Sequence, residues 1–158
     1  MNYVDIFGST KGKRDLAADV IQFCIKELMP RIRSLDISVN LTKLEGADGF
    51  CMEGENNRTF EIEIDKTLSY DDFVTCICHE MVHVKQHVRN ELVDKGVFKK
   101  WKGEEHIFAY STTDEYMELP WEKEAYELQE TLLSSYTAYR NSANYHSSIH
   151  TKGCTVFS

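Results

Sequence analysis

The sequence predicts an α+β fold: a small mixed sheet of about three strands packed on an N-terminal helix, a central helix and a C-terminal helix. Two periodicities lead there. Apolar residues recur at helical spacing in three stretches, and between the first two of these stretches short runs alternate with period two. A chain of 158 residues, 42% of them apolar, is long enough for one domain with its own core. Such a core needs no disulfide or metal staple, so a metal bound by this chain is expected to be functional.

The first helix is expected from Arg14 to Met29. Leu16, Val20, Phe23, Cys24, Ile25 and Leu28 form its apolar stripe, and Pro30 ends it. The period-two runs are Leu35 to Leu41 and Phe60 to Ile64, with Gly46, Gly49 and Gly54 punctuating the interval between them. Ser69 then supplies an N-cap and Asp72 an acidic first turn for a helix reaching about Asn90. From Leu92 to Tyr110 the pattern is mixed and broken by Gly96 and Gly103. With β-leaning pieces at Val97-Phe98 and Ile107 to Tyr110, it reads as a hairpin or long loop. Pro120 suits a first helical turn, and Trp121, Ala125, Leu128, Leu132 and Leu133 carry that helix to about Tyr139. Residues 1–140 thus form the expected domain. Asn141 to Ser158 has no period and reads as a C-terminal tail, disordered or simply packed. Neither an internal repeat nor a linker is visible.

Composition narrows the function classes. Eighteen Lys and Arg against 26 Asp and Glu give a formal charge of −8. That balance opposes a phosphate backbone, so no nucleic-acid partner is expected. The N-terminus lacks an apolar h-region, and no run approaches the roughly 18 apolar residues of a membrane span. Five scattered cysteines, an odd number, suggest reduced thiols. A soluble, unprocessed, cytoplasmic protein without a membrane partner is therefore expected, with a monomer as the default state.

The central helix carries His79-Glu80-Met81-Val82-His83. Two histidines four residues apart lie about 40° apart around a helix and one turn along it, so both imidazoles can reach one tetrahedral ion. Phe73, Ile77, Met81, Val84 and Val88 fall in one apolar sector, with the two histidines on nearly the opposite side. A buried core histidine, the usual explanation for a lone one, accounts poorly for such a pair. Glu80 projects between the two sectors, where a carboxylate can reach a water beside the metal without ligating it. It is the natural general base.

A catalytic site of this kind usually needs a third protein ligand. Glu124 and Glu122 both lie near the start of the C-terminal helix, about 200° apart around it, so both cannot face the same ion. His106 offers a third-histidine alternative. His87 extends the ladder of histidines but stands about 12 Å from His79 along the axis, too far for one ion, and reads as a rim residue. Cys76 and Cys78 face different directions and form no zinc knuckle.

Over roughly Leu35 to Tyr139, the run His79 to Gln86 followed by Leu119-Pro120-Trp121-Glu122-Lys123-Glu124-Ala125 resembles the gluzincins. More closely, it resembles their compact stand-alone domains from microbes and phages. The resemblance implies a zincin-like fold, a Zn2+ ion, a polypeptide substrate and peptide-bond hydrolysis with Glu80 as base. Gluzincins commonly place a small residue after the ligand glutamate. Glu124-Ala125 matches that, so the implied ligands are His79, His83 and Glu124. The family also implies a tyrosine or histidine at the oxyanion, for which Tyr110, Tyr116 and Tyr126 are candidates. An edge strand, Gly49 to Glu53 or Thr59 to Ile64, would hold an extended substrate. Two other readings stand beside this one. An SprT-type zinc protease acting on DNA-associated protein would use His106, and a non-catalytic metal-binding module would keep the site without turnover. His146, His150 and Cys154 also suggest a tail that folds back over the metal.

Overall fold

The computed structural model describes residues 1–107 and 112–157, with side chains described through residue 143. In chain order the elements are β1 (Tyr3–Phe7), α1 (Lys11–Leu28), β2 (Asp36–Thr42), β3 (Gly49–Glu53), β4 (Thr59–Asp65), α2 (Tyr70–Val88), β5 (Leu92–Asp94), β6 (Lys99–Trp101), β7 (Glu104–His106), α3 (Thr113–Met117) and α4 (Pro120–Phe157). The fold is α+β, as expected.

The main sheet has four strands in the order β1-β2-β4-β3. β1, β2 and β4 run parallel, and β3 pairs antiparallel with β4 from Gly49 opposite Ile64 to Glu53 opposite Phe60. The alternation expected in β2 and β4 is present. Ile37, Val39 and Leu41 of one, and Phe60, Ile62 and Ile64 of the other, are all buried toward the helices. β1 is a strand the pattern did not announce. Its Tyr3 and Phe7 stay exposed, so apolar residues occupy both of its faces and the alternation is blurred. Gly8, at φ +88°, turns the chain from β1 into α1 against the Leu41 carbonyl, where a Cβ would clash.

Thr10 caps α1 by accepting from the Lys13 amide, and Ser69 caps α2 by accepting from the Asp72 amide. α1 buries Ala17, Val20, Ile21, Cys24 and Ile25 toward the sheet and α2, where the Sγ atoms of Cys24 and Cys78 lie 3.8 Å apart as free thiols. α2 crosses the centre and is buried around most of its circumference, because α4 covers the side turned away from the sheet. The region expected as a hairpin or long loop is a three-stranded antiparallel sheet, β5-β6-β7. Val97-Phe98 lies in the turn between its first two strands, and the end of the second β-leaning piece, with Tyr110, falls outside the described residues.

α4 passes the expected end near Tyr139 and runs on to Phe157. The segment beyond Asn141 lacks an apolar face but holds no proline, so nothing in it stops a helix already begun. The side chains of His146, His150 and Cys154, the imagined tail latch, lie outside the described residues. Among the described residues, no helix is long and apolar enough to cross a membrane.

Candidate metal centre

His79 and His83 project from α2 toward the first turns of α4, one turn apart as their spacing requires. Their Nε2 atoms stand 3.2 Å from each other. The carboxylate that meets them is Glu122: its Oε2 lies 3.1 Å from His79 Nε2 and its Oε1 3.2 Å from His83 Nε2. All three side chains are nearly enclosed, at 12%, 11% and 4% exposure.

Glu124, the residue favoured by the family pattern, must be corrected. It faces the other side of α4, where Lys85 Nζ lies 2.8 Å and Gln86 Nε2 3.2 Å from its Oε1, with Lys102 4.0 Å from its Oε2. The physical reason is the 200° separation already visible in the sequence: one of the two glutamates had to turn away. The local rule about a following small residue pointed to the glutamate that the structure keeps away from the histidines. A better signal was available on α4, because Glu122, Tyr126 and Gln129, spaced i, i+4 and i+7, make a polar stripe beside the apolar one. That stripe is the face turned to the histidines.

The hydrogen bonds around the rings settle which nitrogen carries the proton. Gln86, fully buried, donates its amide nitrogen to the Trp121 carbonyl at 2.9 Å and to Glu124, both of which can only accept. Its Oε1 therefore faces His83 Nδ1 at 2.8 Å and takes that ring N–H. Gln129 repeats the arrangement. Its nitrogen donates to Glu130 at 3.2 Å, and its Oε1 accepts from His79 Nδ1 at 2.8 Å. With both Nδ1 atoms protonated, the two neutral rings turn lone pairs toward the Glu122 carboxylate. Acceptors gathered around one point call for a cation, either a proton shared between ring and carboxylate or a metal ion in its place, and a glutamine fixing each ring supplies the outer support that metal-bound histidines need. The group His79, His83 and Glu122 could hold a metal ion.

Ionisation follows from the same geometry. Burial opposes a charge on Glu122, yet hydrogen bonds from His79 and His83, the charge of His83 and the hydroxyl of Tyr116 hold its carboxyl far below the usual range. Burial likewise opposes a proton on His83, and Glu122 outweighs it, so that ring is raised. Glu80, only 5% exposed, is pushed up by burial, a shift that His83 and His79 partly offset. Its carboxylate lines the two clefts that flank the cluster, so it reaches both without joining the ligand group.

Tyr116 donates to Glu122 Oε1 at 2.5 Å. It is positioned by α3, whose capping box pairs the Thr112 side chain with the Glu115 amide and the Glu115 side chain with the Thr112 amide. That signature, Thr112-x-x-Glu115, was legible in the sequence and passed unread. Tyr126 packs its ring on His79 with centroids 4.7 Å apart. Two of the three candidate tyrosines are therefore at the site. His106 instead packs on the Trp121 ring at 5.8 Å and is not part of the ligand group. His87, expected at the rim, is 9% exposed and forms part of the wall of the narrower cleft.

β3 is the edge strand beside the cluster. Gly49 opens it where β3 leans on α2: a Cβ there would come within 2.7 Å of Cys76 Sγ and 2.8 Å of the Glu63 carbonyl. Searched against family models, curated proteins and solved structures, the chain matches none.

Proposed function

We propose that this protein is a zinc-dependent endopeptidase of the gluzincin pattern, with His79, His83 and Glu122 as metal ligands and Glu80 as general base. The observation that carries this reading is the convergence of two Nε2 lone pairs and one carboxylate beside a buried, proton-avid Glu80. Two histidines and one carboxylate make a donor set suited to zinc in an open catalytic site. When bound, zinc supplies Lewis acidity and lowers the pKa of a coordinated water toward neutrality.

The chain's own residues do the rest. Glu80 takes a proton from the attacking water and returns it to the leaving amine nitrogen. A carboxylate raised by burial is better matched to that exchange near neutral pH than an ordinary one. Tyr116, whose hydroxyl is raised by burial and by Glu122, stays protonated and can donate a hydrogen bond to developing negative charge by turning its one O–H away from Glu122. Tyr126 lines the wider cleft, where it borders a bound chain. β3 pairs on one side only, with β4, and its other edge offers backbone groups to an extended polypeptide beside Glu80. With Glu122 rather than His106 beside the histidines, the gluzincin ligand set is preferred to the SprT-type alternative.

The test is to incubate zinc-loaded protein with unfolded polypeptides, alongside Glu80→Gln. The wild type should cleave, and the variant should be slower by about 10²- to 10⁴-fold at equal zinc content. No cleavage by the zinc-loaded wild type would overturn the peptidase reading, and equal cleavage by both would exclude Glu80 as the base.

A further inference from the structure

Two clefts meet at Glu80, and their linings differ in charge. The narrower, about 160 Å³, lies on the His83 side and includes Lys99 among apolar walls of Leu92, Leu119 and Trp121. The wider, about 660 Å³, lies on the His79 side and carries Asp48 and Asp72, with no lysine or arginine lining it among the described residues. Neither aspartate side chain makes an ion pair or accepts a hydrogen bond among the described residues.

Asp72 has a structural use, since it sits in the first turn of α2 where a negative charge favours the helix dipole. Asp48 has none that the fold reveals. It stands in the segment before β3, and only its backbone carbonyl is engaged, by the Asp65 amide at 2.7 Å. Its charge is nevertheless felt inside the cleft. The Cys76 thiol, which lines the same cleft, is raised by burial, then by Glu80 and Asp48. Behind the aspartates stands Glu80, 5% exposed, lining the cleft with no side-chain hydrogen-bond partner among the described residues. A buried carboxylate without a donor, backed by two unpaired carboxylates and the ring of Tyr126, is a surrounding that favours positive charge.

We infer that the wider cleft is a subsite for a cationic side chain, a lysine or arginine of the polypeptide substrate on one side of the scissile bond. This deepens the peptidase reading and rests on it. A chain lying along β3 passes Glu80 where the two clefts join, so its residues on either side of the cleaved bond meet different fields. The wider side adds Asp48 and Asp72 to Glu80, whereas the narrower side sets Lys99 beside Glu80 and Glu122 and favours a cation less.

The experiment uses peptides that differ at one position, carrying Arg, Lys, norleucine or Glu on each side of the cleaved bond in turn. Zinc-loaded wild type should favour Arg and Lys over norleucine by about tenfold in kcat/KM, on one side only, and disfavour Glu there. Asp48→Asn with Asp72→Asn should bring the Arg-to-norleucine ratio toward one. Asp36→Asn with Glu61→Gln, an equal change of net charge on the outer face of the sheet, should leave that ratio as it was. Indifference of the wild type to charge on both sides, or a preference for Glu on the wider side, would overturn the inference. Fluorescence anisotropy of the same labelled peptides on the metal-free wild type, which keeps all three carboxylates, separates the two proposals. If no peptide is cleaved, the peptidase reading fails; equal binding of Arg and Glu peptides is what sinks the subsite.

Discussion

On the side of α2 that meets the sheet and α1, the buried residues are Phe73, Val74, Ile77, Met81 and Val84. On the side that meets α4, the enclosed groups are His79, His83 and Gln86, facing Glu122 and Gln129. The first seam is ordinary core, stabilised by apolar area removed from water. The second removes charged and polar groups from water, which costs free energy unless every lone pair and proton finds a partner. The difference shows where the chain departs from what folding alone favours. An apolar seam on α4 would stabilise the domain at least as well, so the polar one is best explained by what it binds.

The comparison is broken most severely by one substitution on each side. Ile77→Ala, at a fully buried position of the apolar seam, should cost about 2–5 kcal/mol in urea unfolding while leaving one zinc per folded chain. Glu122→Ala should remove stoichiometric zinc, read by elemental analysis after gel filtration, in a chain that still folds. A variant at Glu122 that retains zinc, or one at Ile77 that stays folded and loses it, would show that the two seams are not separable.

A smaller effect concerns His87, at the boundary between the seams. Burial above all, then His83 and Lys99, push its pKa down to about 4, against the opposing effects of Asp94 and a Leu92 backbone hydrogen bond. Glu53 lies 3.5 Å from Nδ1 and does not reverse the shift. In the unfolded chain the ring titrates near 6.5, so between about pH 6.5 and 4 the unfolded state binds the extra proton first. Stability should therefore fall as pH drops through that window, by up to about 3 kcal/mol, and be unaffected by this group above it. Urea unfolding of metal-free protein at pH 7.5, 5.5 and 4.5 measures the slope, and His87→Gln should flatten it. An unchanged slope would show that His87 is not held neutral.

What the sequence made legible follows the same division. The apolar seam was readable because its period is regular: Phe73 to Val88, Ile37 to Leu41 and Phe60 to Ile64 each announce a buried face, and Ser69 announces where α2 begins. The histidines were readable as a pair that this face could not use. The partner carboxylate was harder, because Glu122 and Glu124 differ only by a rotation about α4. That rotation is fixed by contacts remote in sequence, Gln129 with His79 and Lys85 with Glu124. β1 and α3 escaped for different reasons: β1 carries apolar residues on both faces, which blurs its alternation, and α3 is five residues long, too short for a helical period to emerge. The wide burial of α2 could not be foreseen from its own residues either, since it depends on where α4 lies.

The smallest effect tests whether the polar seam is organised for the metal or merely tolerated. Gln129 and Gln86 each hold one ligand ring through its Nδ1–H, but only Gln86 is fully buried and also ties down the Trp121 carbonyl and Glu124. Gln129→Leu removes one ring's acceptor and leaves the rest of the network intact, so zinc affinity should drop by about 10- to 100-fold with little change in stability. Gln86→Leu should weaken zinc by a similar factor and in addition lose about 1–3 kcal/mol, because buried acceptors go unpaired. Competition with a chelator gives the first quantity and urea unfolding of the metal-free protein the second. If Gln129→Leu binds zinc as tightly as wild type, the amide does not orient His79, and the protonation pattern that makes these lone pairs converge would have to arise from the metal itself.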